Sequence, residues 1–280
     1  MTGGQRRGAV HPALVLLVVA ALELGGATGS PAFAGSPRPA ASLEAAGAEA
    51  ATVRPLALTR DMRSWVGSML SALPPETSAI DRLRRIQQGL TSDELRPLVD
   101  SPSRTPTAAE AFALRRTDCV GFALLLVTLA RAADVDARFV LTSTFEGSDL
   151  AGSLRIRRAH LSAGLAGRLF DFAGERELIP DREVEVDDRT ALALFFSNRG
   201  AQRLAAGWAA ESVEWLYRAV RYDPSLTWVW TNLGVALRRN GDAEGAVLAY
   251  EMALRIDSRN ESAQRNLEVA RIREMREARD

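Results

Sequence analysis

The stretch Arg115-Arg-Thr-Asp-Cys119-Val-Gly-Phe-Ala-Leu-Leu-Leu-Val-Thr-Leu-Ala-Arg-Ala-Ala-Asp-Val-Asp-Ala-Arg-Phe-Val140 decides the fold. It reads as a polar approach, a cysteine, a helix that is apolar almost all round from Val120 to Ala132, a short polar break and then a strand. A helix without a polar face has to be buried, so other elements must pack around it. Cys119 is the only cysteine of the chain and stands where that helix starts. A thiol there meets the unpaired N–H groups of the first turn and the positive end of the macrodipole, both of which favour thiolate. The competing reading is a small buried hydrophobe, the usual fate of a lone cysteine.

Upstream, Trp65, Met69, Leu70 and Leu73 have helical spacing over 62–73, and Pro74-Pro75 ends that helix. Ile80, Leu83, Ile86 and Leu90 mark a second helix. Thr107-Ala-Ala-Glu110 is a capping-box pattern that opens a third and delivers the chain to Cys119. Downstream, residues 137–144 are rich in aromatic and β-branched side chains and read as a strand. Two further strands, 158–165 and 168–173, are joined by Ala166-Gly167.

His160, the only histidine beyond His11, lies on that hairpin. With a two-residue loop, Leu165 faces Arg168, His160 faces Ala173, and Asp171 is the diagonal neighbour of His160 on one sheet face. A four-residue loop sets Asp171 directly opposite His160, whereas a three-residue loop separates them onto opposite faces. An exposed strand histidine near an ordinary aspartate is the alternative for this pair.

The C-terminal third is periodic. Asn198, Asn232 and Asn266 recur every 34 residues, as do Gly200 and Gly234, Gly207 and Gly241, Leu216 and Tyr250, and Ala219 and Ala253. Trp230, Leu233-Gly234, Ala246, Tyr250 and Ala253 fit the tetratricopeptide pattern of paired helices with small residues at the close approaches. Residues 191–280 are therefore expected to hold two full repeats and a polar capping helix. Asn198, Asn232 and Arg238 are candidates to face a protein or peptide ligand in the repeat groove; helix-packing polar residues and solvated charge are the competing reading.

At the other end, Arg6 and Arg7 precede the apolar run 13–22, and small residues follow. That is the layout of a secretory signal over 1–34; ten apolar residues make a poor membrane span, and an uncleaved anchor is the alternative. Residues 35–54, rich in Ala, Gly, Pro and Ser, read as a disordered linker, with order expected near Leu56. All 35 basic residues are arginine and the formal net charge is zero, so no basic field points to nucleic acid. A single cysteine excludes an internal disulfide, and no Cys/His spacing suggests a metal site. No cofactor is expected, and membrane contact only if the N-terminal segment stays attached.

Residues 55–190 resemble the transglutaminase-like superfamily, relatives of the papain-type cysteine proteases. The resemblance is carried by Ala108-Ala-Glu-Ala-Phe112 leading into Asp118-Cys119-Val-Gly-Phe-Ala-Leu-Leu-Leu, by Ala137-Arg-Phe-Val, and by strands bearing His160 and Leu-Phe-Asp171-Phe. The whole chain is similar to bacterial exported proteins that join such a domain to tetratricopeptide repeats, with Asp188-Arg-Thr-Ala-Leu-Ala-Leu-Phe-Phe-Ser-Asn-Arg-Gly200 at the junction. The resemblance implies an α+β domain of helices on a small antiparallel sheet, followed by an all-α repeat array. It also implies a Cys119-His160-Asp171 triad that forms a thioester from an amide in a periplasmic or extracellular setting. This sequence departs from the superfamily at Leu161-Ser162-Ala163, where an aromatic is common, and at Phe172-Ala173, where proline is frequent. The alternative function is a scaffold whose repeats bind a partner while the domain has lost its chemistry.

Overall fold

In the computed structural model, residues 48–92, 99–100, 104–144, 158–179 and 182–277 are described. The expected signal segment 1–34 lies outside them, as does most of the expected linker.

Among the described residues, the short helical segment 48–52 and three longer helices precede Cys119. Helix α1 (Arg60–Leu70) is capped by the Thr59 hydroxyl and α2 (Ala79–Thr91) by that of Ser78. Helix α3 (Ala108–Leu114) has the full capping box, with Thr107 and Glu110 each accepting the other's backbone N–H. Arg115 leaves α3 in the left-handed region (φ 52°) and turns the chain into a two-residue parallel pairing of β1 (Val99–Asp100) with β2 (Arg116–Thr117). Helix α4 (Cys119–Ala132) follows, buried at every position from Cys119 to Ala130. The uninterrupted apolar sequence is satisfied because α1, α2 and α3 pack on α4 and a sheet packs beneath it.

The sheet has the order β6-β5-β4-β3-β7, every neighbour antiparallel, with β3 (Arg138–Thr144), β4 (Arg158–Leu165), β5 (Arg168–Asp171), β6 (Gly174–Glu177) and β7 (Glu183–Val186). Alternation along the strands sorts its two faces. Phe139, Leu161, Ala163 and Phe170 join the core under α4. His160, Ser162 and Thr142 point to the other face, and Thr142 is the cross-strand partner of His160.

From Asp188 the chain is helical: α5 (Asp188–Ala205), α6 (Ala209–Tyr222), α7 (Thr227–Arg239), α8 (Ala243–Ile256) and α9 (Glu261–Glu277), each packed on the next. The 34-residue period is expressed in three dimensions, since α6 and α8 have the same length and start 34 residues apart. The close approaches repeat too. A Cβ on Gly200 would meet Leu216 at 2.6 Å, and one on Gly234 would meet the Tyr250 ring at 2.4 Å.

Order begins earlier than residue 55. Residues 48–52 are helical, Ala50 is buried and Glu49 pairs with Arg104, Arg199 and Arg203. The expected linker is thus structured at its C-terminal end. The physical reason is Arg199, whose side chain is 2 % exposed and needs carboxylates at close range; Glu49 and Glu110 supply them.

Candidate active site

Asp118 is the N-cap of α4 and Cys119 its first helical residue. One Asp118 oxygen accepts the Gly121 N–H at 2.8 Å and the other accepts the Thr105 hydroxyl. The cap fixes the first turn of the helix that Cys119 begins. Cys119 itself is 3 % exposed.

The β4–β5 hairpin supplies the other two residues. Its loop is Ala166-Gly167, both at positive φ (49° and 74°), and Leu165 pairs with Arg168. This is the two-residue alternative among the three registers, with the two left-handed residues that match strand twist. The pairing stops at Ala163 with Phe170; β5 ends at Asp171, and residues 172–173 turn into β6. The strand expected to run to Ala173 therefore ends two residues sooner, and Ala173 does not face His160. Asp171 keeps the diagonal position, and its Oδ2 lies 3.3 Å from His160 Nε2. Its Oδ1 accepts the Ala173 N–H at 2.7 Å.

Asp171 is held as an anion. Burial pushes its carboxyl up, but the His160 hydrogen bond and charge, the Ala173 N–H and the Arg176 charge together outweigh burial and leave it below the ordinary carboxylate range. Gln87, from α2, donates to the Asp171 and Gly174 carbonyls at 2.7 and 2.8 Å and fixes the turn behind the carboxylate.

Of the three residues read from the sequence, His160 and Asp171 are in direct contact. Cys119 begins the helix that packs on the opposite face of the sheet, and what it shares with the pair is its end of the layer. β3 returns from the C-terminus of α4, where the Arg131 guanidinium lies 5.5 Å over the Phe139 ring, so Thr142 and its partner His160 lie toward the helix start. At that end Phe122, one turn into α4, stacks on Phe172, the residue after Asp171.

Several side chains around the pair had no sequence signal. Glu183, on β7, accepts from the Thr142 hydroxyl at 3.3 Å, from the Ile179 N–H at 2.6 Å and from Arg176. Its Glu-Val-Glu-Val strand has the alternation of an exposed edge, and only the register shows that Glu183 is 4 % exposed opposite Thr142. Ser162 is fully buried, and its hydroxyl has no hydrogen-bond partner among the described residues.

The residues picked for a repeat groove are placed differently. Asn198 and Asn232 are 6 % and 1 % exposed within the packed helices, so neither stands on an open surface. Arg238 is half-buried beside Tyr250. A 34-residue spacing does not distinguish a groove position from a packing one; helix-to-helix burial does.

The sequence pattern of the transglutaminase-like superfamily matches residues 67–166, an interval that holds Cys119 and His160 and stops five residues short of Asp171. A transglutaminase-like superfamily domain is therefore present, and helices on a small antiparallel sheet are the architecture seen there. No curated protein matches the chain. Among the described residues there is no group of three or more His, Cys, Asp or Glu side chains able to hold a metal ion. Nor is any helix among them long and apolar enough to cross a membrane.

Proposed function

We propose that the protein is an exported cysteine acyl-transfer enzyme that acts on amide bonds through Cys119, His160 and Asp171. The observation that carries the reading is the His160–Asp171 contact at the end of the layer where α4 begins. With Nε2 engaged by the carboxylate, Nδ1 is the nitrogen left to exchange a proton with a thiol, and in this proposal it meets Cys119 round the end of the sheet, since the two start from opposite faces.

In this reading the Cys119 thiol gives its proton to His160 and Sγ attacks the amide carbonyl carbon. The resulting oxyanion accepts the Cys119 backbone N–H at the helix start. The imidazolium then protonates the leaving amine as the C–N bond breaks, and a thioester remains on Cys119. Water or a second amine attacks the thioester, His160 takes the incoming proton and returns it to sulfur. Asp171 orients the ring and stabilises the imidazolium; its depressed pKa keeps it charged throughout.

The helices from Asp188 onward serve, in the same proposal, as tetratricopeptide repeats that dock a protein or peptide partner. Support comes from the 34-residue period and from the matched Gly200–Leu216 and Gly234–Tyr250 approaches. Export to the periplasm or the cell exterior is proposed from Arg6-Arg7 and the apolar run after them. N-terminal sequencing of the protein recovered from cells tests whether residues 1–34 are removed.

The decisive experiment is the alkylation of Cys119 by iodoacetamide as a function of pH, in the wild type and in His160→Ala. An activated thiolate reacts well below the ordinary thiol pKa of about 8.5 and loses that advantage without His160. A profile that follows an ordinary thiol in both proteins rejects the enzyme and leaves the scaffold.

A further inference from the structure

Thr105 is fully buried and every one of its polar groups is used. Its N–H donates to Gln202 Oε1 at 3.1 Å, and its carbonyl accepts Arg199 Nε–H at 2.6 Å. Its hydroxyl accepts from Gln202 Nε2 at 3.3 Å and donates to Asp118 Oδ2. Three of these bonds go to α5, the first helix of the C-terminal array, and the fourth goes to the cap of the Cys119 helix.

The α5 side is itself fixed. Arg199 is 1 % exposed, pairs with Glu110 at 2.9 Å and Glu49 at 3.3 Å, and lies over the Phe195 and Trp215 rings at 5.2 and 5.3 Å. Burial and the Arg104 charge outweigh the two carboxylates and lower its pKa to about 10, still protonated at neutral pH. The α4 side is close-packed as well: a Cβ on Gly121 would lie 2.7 Å from the Pro106 ring and 2.5 Å from the Thr117 hydroxyl.

We propose that Thr105 is a positioning residue for Cys119, and that the helical array sets it through Arg199 and Gln202. The inference rests on reading Cys119 as the nucleophile. Two physical effects run through the bridge. Holding both Asp118 oxygens stops the carboxylate from rotating, which fixes the first turn of α4 and the direction of the Cys119 N–H. The Thr105 hydroxyl also spreads the charge of a carboxylate one residue from the sulfur, and that charge opposes a thiolate. The array and the candidate site are thus one unit, and the hydroxyl is where they join.

The test uses the full chain with Thr105→Val, Thr105→Ser and Gln202→Leu. Hydrogen exchange at the Gly121 amide reads the cap whether or not the thiol is activated. Exchange about tenfold faster in Thr105→Val and Gln202→Leu, recovered in Thr105→Ser, is expected for the loss of one hydrogen bond's worth of support. Iodoacetamide alkylation at pH 6 is expected to slow in the same two variants, with its midpoint moved up toward that of an ordinary thiol. Gln202 is half-buried, so its variant carries the test if Thr105→Val does not fold. Gly121 exchange within twofold of wild type in the folded variants overturns the inference. So does acceleration that includes the Phe139 and Leu141 amides equally, which is global destabilisation. If the wild-type thiol is ordinary, the nucleophile reading falls by that result alone, and Gly121 exchange still decides the bridge.

Discussion

The rings of Phe122 and Phe172 stack with centroids 4.2 Å apart and planes inclined by 27°. One belongs to the first turn of the helix that Cys119 begins, the other to the turn that follows Asp171. The stack is a tether between the two parts of the candidate site.

Phe172→Ala is expected to cost about 2 kcal/mol, less than the 3–5 typical of a fully buried phenylalanine because Phe172 is only half-buried. Urea denaturation measures the loss. The specific expectation is that alkylation of Cys119 at pH 6 falls further than the same destabilisation produces in a remote control, Gly234→Ala. An equal fall in both variants would make the stack ordinary core packing.

The control has its own prediction. Alanine at Gly234 gains about 1 kcal/mol in helix propensity, yet its Cβ falls 2.4–2.8 Å from three ring atoms of the buried Tyr250. A rigid ring cannot yield as a flexible chain end does, and overpacking costs about 1–3 kcal/mol. Net destabilisation is therefore expected, read as a lower midpoint in urea. A stabilised Gly234→Ala would mean that α7 and α8 are not held as closely as described.

Burial raises the Glu183 carboxyl, but Arg176, the Ile179 N–H and Thr142 together bring it below its ordinary value of 4.5. A carboxyl depressed in the folded state stabilises the protein above its unfolded pKa, and that contribution is lost as pH falls through the folded value. Stability should thus be flat near neutrality and fall below about pH 4.5, with Asp171 adding to the slope below its ordinary 3.8. Glu183→Gln is expected to lose about 1–3 kcal/mol at pH 7 and to show a shallower acid limb. Chemical denaturation at a series of pH values checks both; an unchanged acid limb removes Glu183 from the account.

Glu49 contacts three arginines, of which Arg199 is buried. Removing one partner of a buried charge leaves it undercompensated, at a cost of up to 3–5 kcal/mol where both groups are buried. Glu49 is about one-third exposed and Glu110 still pairs with Arg199, so about 1–2 kcal/mol is expected for Glu49→Ala. A truncation that starts at residue 54 should lose at least as much, because Ala50 leaves the core with it. If that truncation melts like the full chain, residues 48–52 contribute nothing to the fold.

Local rules in the sequence determined a good deal. Thr107 and Glu110 specified a capping box, the apolar run after Cys119 specified a buried helix, and the 34-residue recurrence specified repeated helix pairs. Each of these depends on neighbours within a turn or on a fixed period, which a linear chain displays directly. The hairpin was open among three registers, because loop length changes the facing residues without changing composition. Only the folded loop, with Ala166 and Gly167 both left-handed, set Asp171 diagonal to His160.

The tertiary structure decided what depends on residues far apart in the chain. Glu49 reads as part of a linker until the buried guanidinium of Arg199, 150 positions later, gives it a role. Asn198 and Asn232 have the period of a groove, yet the packing of neighbouring helices buries them. Thr105, a residue with no pattern around it, joins Gln202 to Asp118 and so ties the array to the start of α4. The sequence placed Cys119 at a helix N-terminus. Packing determined which distant groups hold that terminus, since an unpaired buried polar group is costly and most are paired wherever the fold brings a partner.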